Sequence, residues 1–232
     1  MSQTTIKHLA IIPDGNRRWA RLNGHAAAVW RGHEMGARRL RELLTTAFDM
    51  GVTHVTLWGS SRENLQKRPE VERNALYEVY TKALTAVSRE AETLQARIHV
   101  RGRCEEFLPS SLQQLITQIE AQTASYTQRT VQVLLAYSGT DELCDAVSRL
   151  ATSSEKHITP EVLRSYLWTG DMPDIDLMIR TGGEPHLSAG FMMWHMANAQ
   201  LYFTETLFPD FSAEELRRAI TDVSQRGRRR GR

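Results

Sequence analysis

Near its amino terminus the chain reads Leu9-Ala10-Ile11-Ile12-Pro13-Asp14-Gly15-Asn16-Arg17-Arg18-Trp19, an apolar run that gives way to a carboxylate, a glycine and two arginines. An apolar run of this length is typical of a strand buried inside a parallel sheet. In such sheets ligands bind beyond the carboxyl ends of the strands, where acidic and basic side chains meet metals and phosphates. The stretch therefore predicts an α/β enzyme that acts on a phosphorylated substrate.

The rest of the chain alternates between strand-like and helix-like patterns. The predicted strands are Leu9 to Ile12, Val52 to Trp58, Arg97 to Arg101, Thr130 to Ala136, Ile175 to Arg180 and Gln200 to Phe203. The predicted helices are Glu34 to Met50, Glu70 to Leu94, Ser110 to Thr123, Asp141 to Leu150, Pro160 to Trp168, Met192 to Ala199 and Ala213 to Gln225, with Thr159 and Ser212 as N-caps. This alternation predicts a mainly parallel six-stranded sheet flanked by helices.

The chain has 232 residues with 41% hydrophobic and 24% charged content, which fits one globular domain over residues 1–232. Its net charge of +2 conceals a basic tail, residues 226–232, that contains five arginines. Without the tail the body is slightly acidic, so we expect no nucleic-acid partner. The stretch Ala151 to His157 is polar and is predicted to be a surface loop.

The two cysteines, Cys104 and Cys144, stand alone without metal-binding spacing. We expect them to be free, buried thiols rather than zinc ligands or a disulfide. No signal peptide and no apolar run of about 20 residues is evident, so we expect a cytoplasmic protein without a transmembrane segment.

Three predicted strands are followed by segments rich in phosphate-binding groups. These are Asp14 to Arg18, Gly59 to Arg68 and Arg180 to Ser188. The glycines allow a close approach of backbone N–H groups to an oxyanion, and the arginines offer forked donors. A single carboxylate among these bases fits Mg²⁺, which one or two carboxylates hold together with substrate oxygens.

Each of these features has an ordinary structural explanation when taken alone. An Asp-Gly pair after a strand is usually a turn, and a single arginine is usually solvated surface. Gly182-Gly183 is neither a dinucleotide-binding motif nor a P-loop. Three such segments on one edge of a sheet are much harder to dismiss, and together they predict a binding site.

Taken together, the motifs resemble those of the cis-prenyltransferases, the undecaprenyl diphosphate synthase family. The matching segments are Asp14-Gly15-Asn16-x-Arg18-Trp19, Gly32-His33-x-x-Gly36, Ser61-x-Glu63-Asn64, Arg68-Pro69, Asp176-Leu177-x-Ile179-Arg180-Thr181-Gly182-Gly183-Glu184, Trp194, Leu201 to Thr204, Pro209-Asp210-Phe211 and Arg229-Arg230-Gly231. The resemblance covers nearly the whole chain. It implies a homodimer with a hydrophobic tunnel and two prenyl diphosphate sites that share Mg²⁺.

The resemblance also implies a role for each matching residue. Asp14 would hold the metal, and Asn64, an amide and therefore a poor base, would orient the group that accepts the proton lost by the acceptor. The donor diphosphate would be surrounded by Gly15, Asn16, Arg17, Arg18 and His33, and the acceptor diphosphate by Arg68, Arg180 and Ser188. Ser61 and Glu63 would lie near Asn64, and Arg229 and Gly231 would reach the neighbouring subunit. Further candidates for substrate binding are Trp19, Arg62 and His186. Met35, Leu40, Leu43 and Leu76 could exclude water from the reacting cation, or could be ordinary core.

The sequence departs from the family pattern mainly on the acceptor side. Gln200 stands where the family has a metal-binding glutamate, and a neutral amide is a weaker ligand for a hard cation. His186 replaces an arginine, and the Ala189-Gly190 pair adds a residue before Phe191. Leu65 replaces an aromatic residue with Lys67 inserted after it, and the loop from Gly24 to His33 is longer, with Arg31 as the available arginine.

These departures favour an altered acceptor. We expect irregular head-to-middle coupling of dimethylallyl diphosphate with dimethylallyl or geranyl diphosphate to a branched product, as in lavandulyl-type synthases. One alternative is regular head-to-tail elongation with isopentenyl diphosphate, in the manner of an undecaprenyl synthase. The other is a non-catalytic partner subunit, which the intact Asp14, Asn16, Arg18 and His33 disfavour.

Overall fold

The computed structural model describes residues 5–225, and the fold it shows is an α/β sandwich around one six-stranded sheet. The strands are β1 His8–Ile12, β2 His54–Trp58, β3 Ala96–Arg101, β4 Arg129–Leu134, β5 Leu177–Arg180 and β6 Gln200–Phe203. Their order is β3-β4-β2-β1-β5-β6, and every neighbouring pair is parallel. The predicted fold class is confirmed.

The helices are α1 Asn16–Leu22, α2 Trp30–Asp49, α3 Arg62–Lys67, α4 Glu70–Leu94, α5 Cys104–Phe107, α6 Ser110–Thr123, α7 Gly139–Ala151, α8 Pro160–Ser165 and α9 Ala213–Gln225. A short 3-10 helix spans Phe208–Asp210. Both predicted N-caps are confirmed, because the hydroxyl of Thr159 accepts from the Val162 amide and that of Ser212 from the Glu215 amide. None of the helices in residues 5–225 is long and apolar enough to cross a membrane.

The sheet is covered on both faces by apolar side chains. One cluster packs Leu9, Val55 and Leu177 against α2 and α9, and another packs α4 and α6 against β3. Every residue of β1 is buried, as the apolar run predicts. A third cluster at the other face includes Trp58, Tyr137 and Phe191.

The predicted helix Met192 to Ala199 is wrong, because this segment forms successive turns. Its backbone enters the segment through left-handed residues, with φ of 46° at Ala189 and 39° at Met192. Phe191, Met192 and Met196 are all buried in the core. Packing of side chains on several sides of this short segment therefore overrides its helical periodicity.

Two other expectations also need correction. The helix predicted from Glu34 begins four residues earlier, so His33 lies inside α2 rather than in the loop before it. The cysteines are free, as predicted, but Cys104 is only half-buried and Cys144 is exposed on α7. Three short helices, α1, α3 and α5, were not predicted, since elements of four to seven residues show no clear period.

Candidate active site

The three predicted binding segments converge. They follow β1, β2 and β5, which are adjacent in the sheet, and a cavity of about 510 Å³ opens at this edge. Polar residues around it are Asp14, Gly15, Asn16, Arg17, Arg18, Arg21, His33, Asn64, Arg68, Arg180 and Ser188. Its apolar lining includes Ile12, Leu40, Leu57, Trp58, Val79, Ala83, Leu84, Val87, Val133, Leu135 and Phe208. The site is thus amphipathic, with a charged set and a hydrocarbon-like set of groups on one cavity.

Asp14 lies directly after β1 with both carboxylate oxygens engaged. Its Oδ1 accepts from the Gly15 amide at 2.6 Å, and its Oδ2 accepts from Arg180 Nη2 at 2.8 Å. Arg18 Nη2 stands 3.7 Å from Oδ1. Gly15 has a φ of 101°, a left-handed conformation that favours glycine, and this turn starts α1 at Asn16.

Arg180 ends β5 and is 4% exposed. Besides Asp14, it donates from Nη1 to the backbone oxygen of His186 at 2.6 Å and to Ser188 Oγ at 3.0 Å. Its Nε is buried without a hydrogen-bond partner among the described residues. This one guanidinium therefore connects the segment after β1 with the segment after β5.

The crossing of α1 and α2 explains the Gly32-His33-x-x-Gly36 motif. A Cβ on Gly32 would lie 1.8 Å from the backbone oxygen of Asn16, and one on Gly36 would lie 2.5 Å from Asn16 Oδ1. The glycines let α2 pack directly against the start of α1, and Asn16 is buried there. This close crossing puts His33 at the cavity, where the positive charge of Arg17 on α1 acts on its ring.

His33 is neutral in this environment. Burial, together with the nearby positive charges of Arg68 and Arg17, lowers its pKa to about 3. Its Nε2 is buried without a hydrogen-bond partner in the described part of the chain. A buried ring nitrogen of this kind can serve as a hydrogen-bonding partner for a ligand in the cavity.

Arg17 and Arg68 share a carboxylate that the sequence analysis did not single out. Glu72 Oε1 lies 3.6 Å from Arg17 Nε and 3.5 Å from Arg68 Nη1. Arg68 thus stands with Arg17 and His33 at the cavity, not with Arg180. Glu72 lies in the first turn of α4, four residues after Arg68, and this spacing is the signal that could have found it.

The segment after β2 divides between two sides of the structure. Ser61 caps α3 by accepting from the Asn64 amide at 3.0 Å, and Asn64 lines the main cavity. Ser61, Arg62 and Glu63 instead line a smaller pocket of about 280 Å³ next to Tyr137. Arg62 pairs there with Asp141, whose Oδ2 lies 2.8 Å from its Nη1.

A buried polar network holds the end of β4 against this segment. The Tyr137 hydroxyl donates to Glu142, which also accepts from the Thr169 amide and hydroxyl at 2.8 Å. Thr169 in turn meets His195 Nε2 at 3.0 Å, and burial lowers the pKa of His195 to about 4. The Tyr137 backbone oxygen accepts from the Arg62 amide at 3.1 Å, which fixes the start of α3.

Several predicted residues lie away from the cavity. Trp19 turns outward and donates from Nε1 to Asp210 at 2.8 Å, while His186 has an exposed ring and contributes its backbone oxygen. Of the residues considered for excluding water, Leu40 lines the cavity, but Leu43 and Leu76 belong to the core. Arg229 and Gly231 lie outside the described residues.

Gln200 also lies apart from Asp14. It pairs with Leu177 at the start of β6, whereas Phe203 pairs with Arg180 at the edge that carries the cavity. Three residues of strand separate the two positions by about 10 Å. Gln200 therefore does not line the cavity of its own chain.

The donor set fits a divalent cation only in part. Asp14 supplies one carboxylate, and no group of three His, Cys, Asp or Glu side chains occurs within residues 5–225. A single carboxylate beside several phosphate-binding groups suits Mg²⁺ that arrives with substrate oxygens. The site is therefore compatible with a cation shared between protein and a diphosphate, and not with an all-protein cage.

Residues 12–231 match the family model described as "Putative undecaprenyl diphosphate synthase". The chain belongs to this family, the cis-prenyltransferases. It is 36% identical over 232 residues to an isoprenyl transferase from Aquifex pyrophilus, covering 100% of this chain and 98% of the relative. It is also 36% identical to a tritrans,polycis-undecaprenyl-diphosphate synthase (geranylgeranyl-diphosphate specific) from Methanopyrus kandleri, over 97% of this chain and 84% of the relative.

Two solved cis-prenyltransferase structures resemble the fold. The lavandulyl diphosphate synthase from Lavandula x intermedia, in complex with dimethylallyl diphosphate, matches with a TM-score of 0.91 at 28% identity, covering 98% of this chain and 99% of that one. A probable undecaprenyl diphosphate synthase from Campylobacter jejuni matches with a TM-score of 0.81 at 27% identity, over 99% and 100%. This cis-prenyltransferase is therefore a prenyl-transferring enzyme built on the same fold.

Proposed function

We propose that this cis-prenyltransferase ionises an allylic diphosphate with the help of Mg²⁺ and joins it to a second allylic diphosphate in an irregular, head-to-middle coupling. The observation that carries the proposal is the segment after β5. Between Arg180 and Phe191 it contains no lysine or other arginine, and its His186 ring points to solvent. The acceptor diphosphate thus has fewer charged donors than the donor diphosphate.

On the donor side the residues suit the breaking of an allylic C–O bond. The bond electrons leave with the diphosphate, so the protein must stabilise negative charge on its oxygens. Arg17, Arg18 and Arg68 surround the cavity there, and His33 offers a neutral ring nitrogen. Mg²⁺ bound at Asp14 would add Lewis-acid stabilisation of the same leaving group.

The carbon–carbon bond then forms by attack of the second molecule's double bond on the allylic cation. That molecule keeps its own diphosphate, which we assign to Arg180 and Ser188. One proton must leave afterwards, to water or to a diphosphate oxygen. Asn64, whose amide faces this cavity, is assigned to orient the accepting group, since an amide is a poor base.

The size of the cavity supports a short product. Its volume of about 510 Å³ lies within the range of pockets that enclose one small-molecule ligand. The apolar lining keeps water from the cation, which would otherwise be quenched to an alcohol. A branched product of two short units suits this volume better than a chain of eleven isoprene units.

The competing function is regular elongation with isopentenyl diphosphate. It is favoured by the relatives named isoprenyl transferases, at 34% to 36% identity over nearly the whole chain. Against it stand His186 and Gln200, which weaken the acceptor side relative to the family pattern. The structural likeness to lavandulyl diphosphate synthase supports the irregular reaction.

Product analysis decides between the two reactions. Purified enzyme is incubated with dimethylallyl diphosphate and Mg²⁺, with and without isopentenyl diphosphate, and the dephosphorylated products are identified by mass spectrometry. We expect a branched ten-carbon alcohol without isopentenyl diphosphate. Strict dependence of product on isopentenyl diphosphate would rule out the irregular coupling, and absence of product with every substrate pair would favour the partner-subunit alternative.

We further propose that the enzyme is a homodimer built on β6. This edge strand exposes Leu201 and Phe203, at 43% and 36%, whereas Tyr202 between them packs on the core. A second copy would cover these side chains and could bring its own Gln200 towards a neighbouring site. Light scattering should give a dimer mass for the wild type and a monomer mass for Leu201→Glu; a wild-type monomer would refute the proposal.

A further inference from the structure

The ion pair between Asp14 and Arg180 has a consequence for the order in which ligands bind. Asp14 Oδ2 is occupied by Arg180 Nη2 at 2.8 Å, and Oδ1 by the Gly15 amide at 2.6 Å. Each carboxylate oxygen keeps a second lone pair, but a cation at Oδ2 would stand beside the guanidinium charge of Arg180. In this state the cation must compete with a partly buried, charge-assisted hydrogen bond.

Arg180 also holds the opposite side of the site. Its Nη1 reaches the His186 backbone oxygen and Ser188 Oγ, and its Nε has no hydrogen-bond partner within the described residues. A guanidinium has five N–H donors and matches a phosphate with two parallel bonds. An anion beside Ser188 would bond the Nη1 edge of this guanidinium and compete with Asp14 for its positive charge.

We propose that Arg180 is a positioning residue that couples the binding of the cation at Asp14 to the binding of the second diphosphate. This proposal rests on the proposed function for the identity of the site. While it is paired with Asp14, the site binds a divalent cation weakly. When an anionic group occupies the segment after β5, Arg180 turns to that group and Asp14 becomes available. Binding of the second, acceptor diphosphate thus frees Asp14 to hold the cation that acts on the donor diphosphate.

The coupling is reciprocal, because an anion that improves cation binding must itself bind better when the cation is present.

The test measures Mn²⁺ binding by electron paramagnetic resonance at pH 7.5, without any prenyl substrate. In the wild type, replacing chloride by sulfate at constant ionic strength should tighten Mn²⁺ binding several-fold. In Arg180→Gln without sulfate, Mn²⁺ should bind about tenfold tighter than in the wild type, the worth of one charge-assisted hydrogen bond. Sulfate should then have little effect on this variant.

Arg18→Gln is the matched control for loss of charge. Arg18 lies 3.7 Å from Asp14 Oδ1. The substitution therefore removes one positive charge near the carboxylate but leaves the hydrogen bond between Arg180 and Asp14 in place. Its effect on Mn²⁺ affinity should be well below that of Arg180→Gln. Asp14→Asn should abolish the Mn²⁺ binding that responds to sulfate or to Arg180→Gln.

Equal gains in Arg18→Gln and Arg180→Gln, or no gain in Arg180→Gln, would overturn the proposal. If Arg180→Gln fails to fold, the sulfate response of the wild type still decides, since an affinity for Mn²⁺ that is independent of sulfate contradicts the coupling. Product formation by the wild type is measured separately. Activity without the sulfate response refutes the coupling alone, whereas the sulfate response without activity refutes the proposed function alone.

Discussion

The two parts of the site that we propose for the donor and for the acceptor diphosphate are built very differently. The donor segment, Asp14 to Arg18, is held by the crossing of α1 and α2, and its Asn16 is buried. The acceptor segment, residues 181–190, exposes its central residues from Glu184 to Leu187. Its start is tied to the segment after β1, because the Thr181 hydroxyl donates to the Asp14 backbone oxygen at 2.7 Å, and its later part is held by Arg180, which bonds the His186 backbone oxygen and Ser188 Oγ.

The contrast shows that the two proposed steps, ionisation of the donor diphosphate and attack by the acceptor, make different demands on the protein. Stabilising a leaving diphosphate requires donors fixed before the reaction, and close helix packing provides them. The attacking molecule can vary, and an exposed segment tolerates substitutions such as His186 without loss of the fold. The predictions below test this difference, in order of expected effect.

The largest effect is expected for Asp14→Asn. Turnover of dimethylallyl diphosphate should fall about a thousandfold, because the leaving group loses the carboxylate that brings the cation. The measurement is product formation per unit time at saturating substrate. Asp210→Asn, an exposed carboxylate nearby, is the control and should retain near-normal turnover. Comparable loss in both variants would contradict the assignment.

Gly32→Ala should destabilise the donor side. The added Cβ would lie 1.8 Å from a backbone oxygen, so α1 and α2 must separate, at a cost of about 3 kcal/mol in the free energy of unfolding. Urea denaturation measures this loss. Gly36→Ala meets side-chain atoms at 2.5 Å and 2.9 Å and should cost less. A Gly32→Ala variant as stable as the wild type would show that the crossing is loose.

The buried histidine of the site, His33, should make the stability of the fold sensitive to acid. His33 has a pKa lowered to about 3, so the unfolded chain, with an ordinary value of 6.5, takes up the proton first as pH falls. The contribution of neutral His33 to the free energy of unfolding is complete above pH 6.5 and is lost progressively as the pH falls from 6.5 to 3. At pH 5 the loss from this one group is roughly 2 kcal/mol.

Urea denaturation of His33→Gln at pH 7.5 and pH 5 tests this expectation. The variant should lose roughly 2 kcal/mol less stability over this interval than the wild type. An unchanged dependence in His33→Gln would show that His33 is solvated and not buried among arginines.

The smallest effect is expected for Gly190→Ala on the acceptor side. Gly190 has a φ of 63°, where an alanine costs roughly 1 kcal/mol. The nearest obstacle to the new methyl group is the end of the flexible Met193 side chain, at 2.3 Å. Gly190→Asn tolerates this backbone better and should be closer to the wild type in thermal unfolding. A loss as large as that of Gly32→Ala would remove the contrast between the two sides.

Much of the fold could be predicted because its strands are apolar runs bounded by polar segments. The edge that carries the site also followed from the sequence, since parallel strands place their carboxyl ends together. The segment from Met192 to Ala199 could not be predicted, because burial of Phe191 and Met196 outweighs local propensity. Short helices such as α1 depend on the turn before them and on packing, and so escape periodicity.

Within the candidate site, the residue types and their segments could be read from the chain, but their partners could not. Glu72 was missed because a glutamate at the start of a long helix is usually a solvated, dipole-favoured residue. Its position between Arg17 and Arg68 depends on the approach of α4 to α1. Gln200 was recognised as a departure, but its place at the far end of β6 required the strand register.

The sequence by itself therefore determined the strands, the parallel sheet and the types of side chain that meet at the edge carrying the candidate site. Tertiary structure decided that Arg180 holds Asp14, that His33 is neutral and that the polar groups share a cavity with an apolar lining. The physical reason is distance along the chain. Asp14 and Arg180 are 166 residues apart and meet only because β1 and β5 are neighbours. Burial then sets the strength of such ion pairs and the charge of groups such as His33.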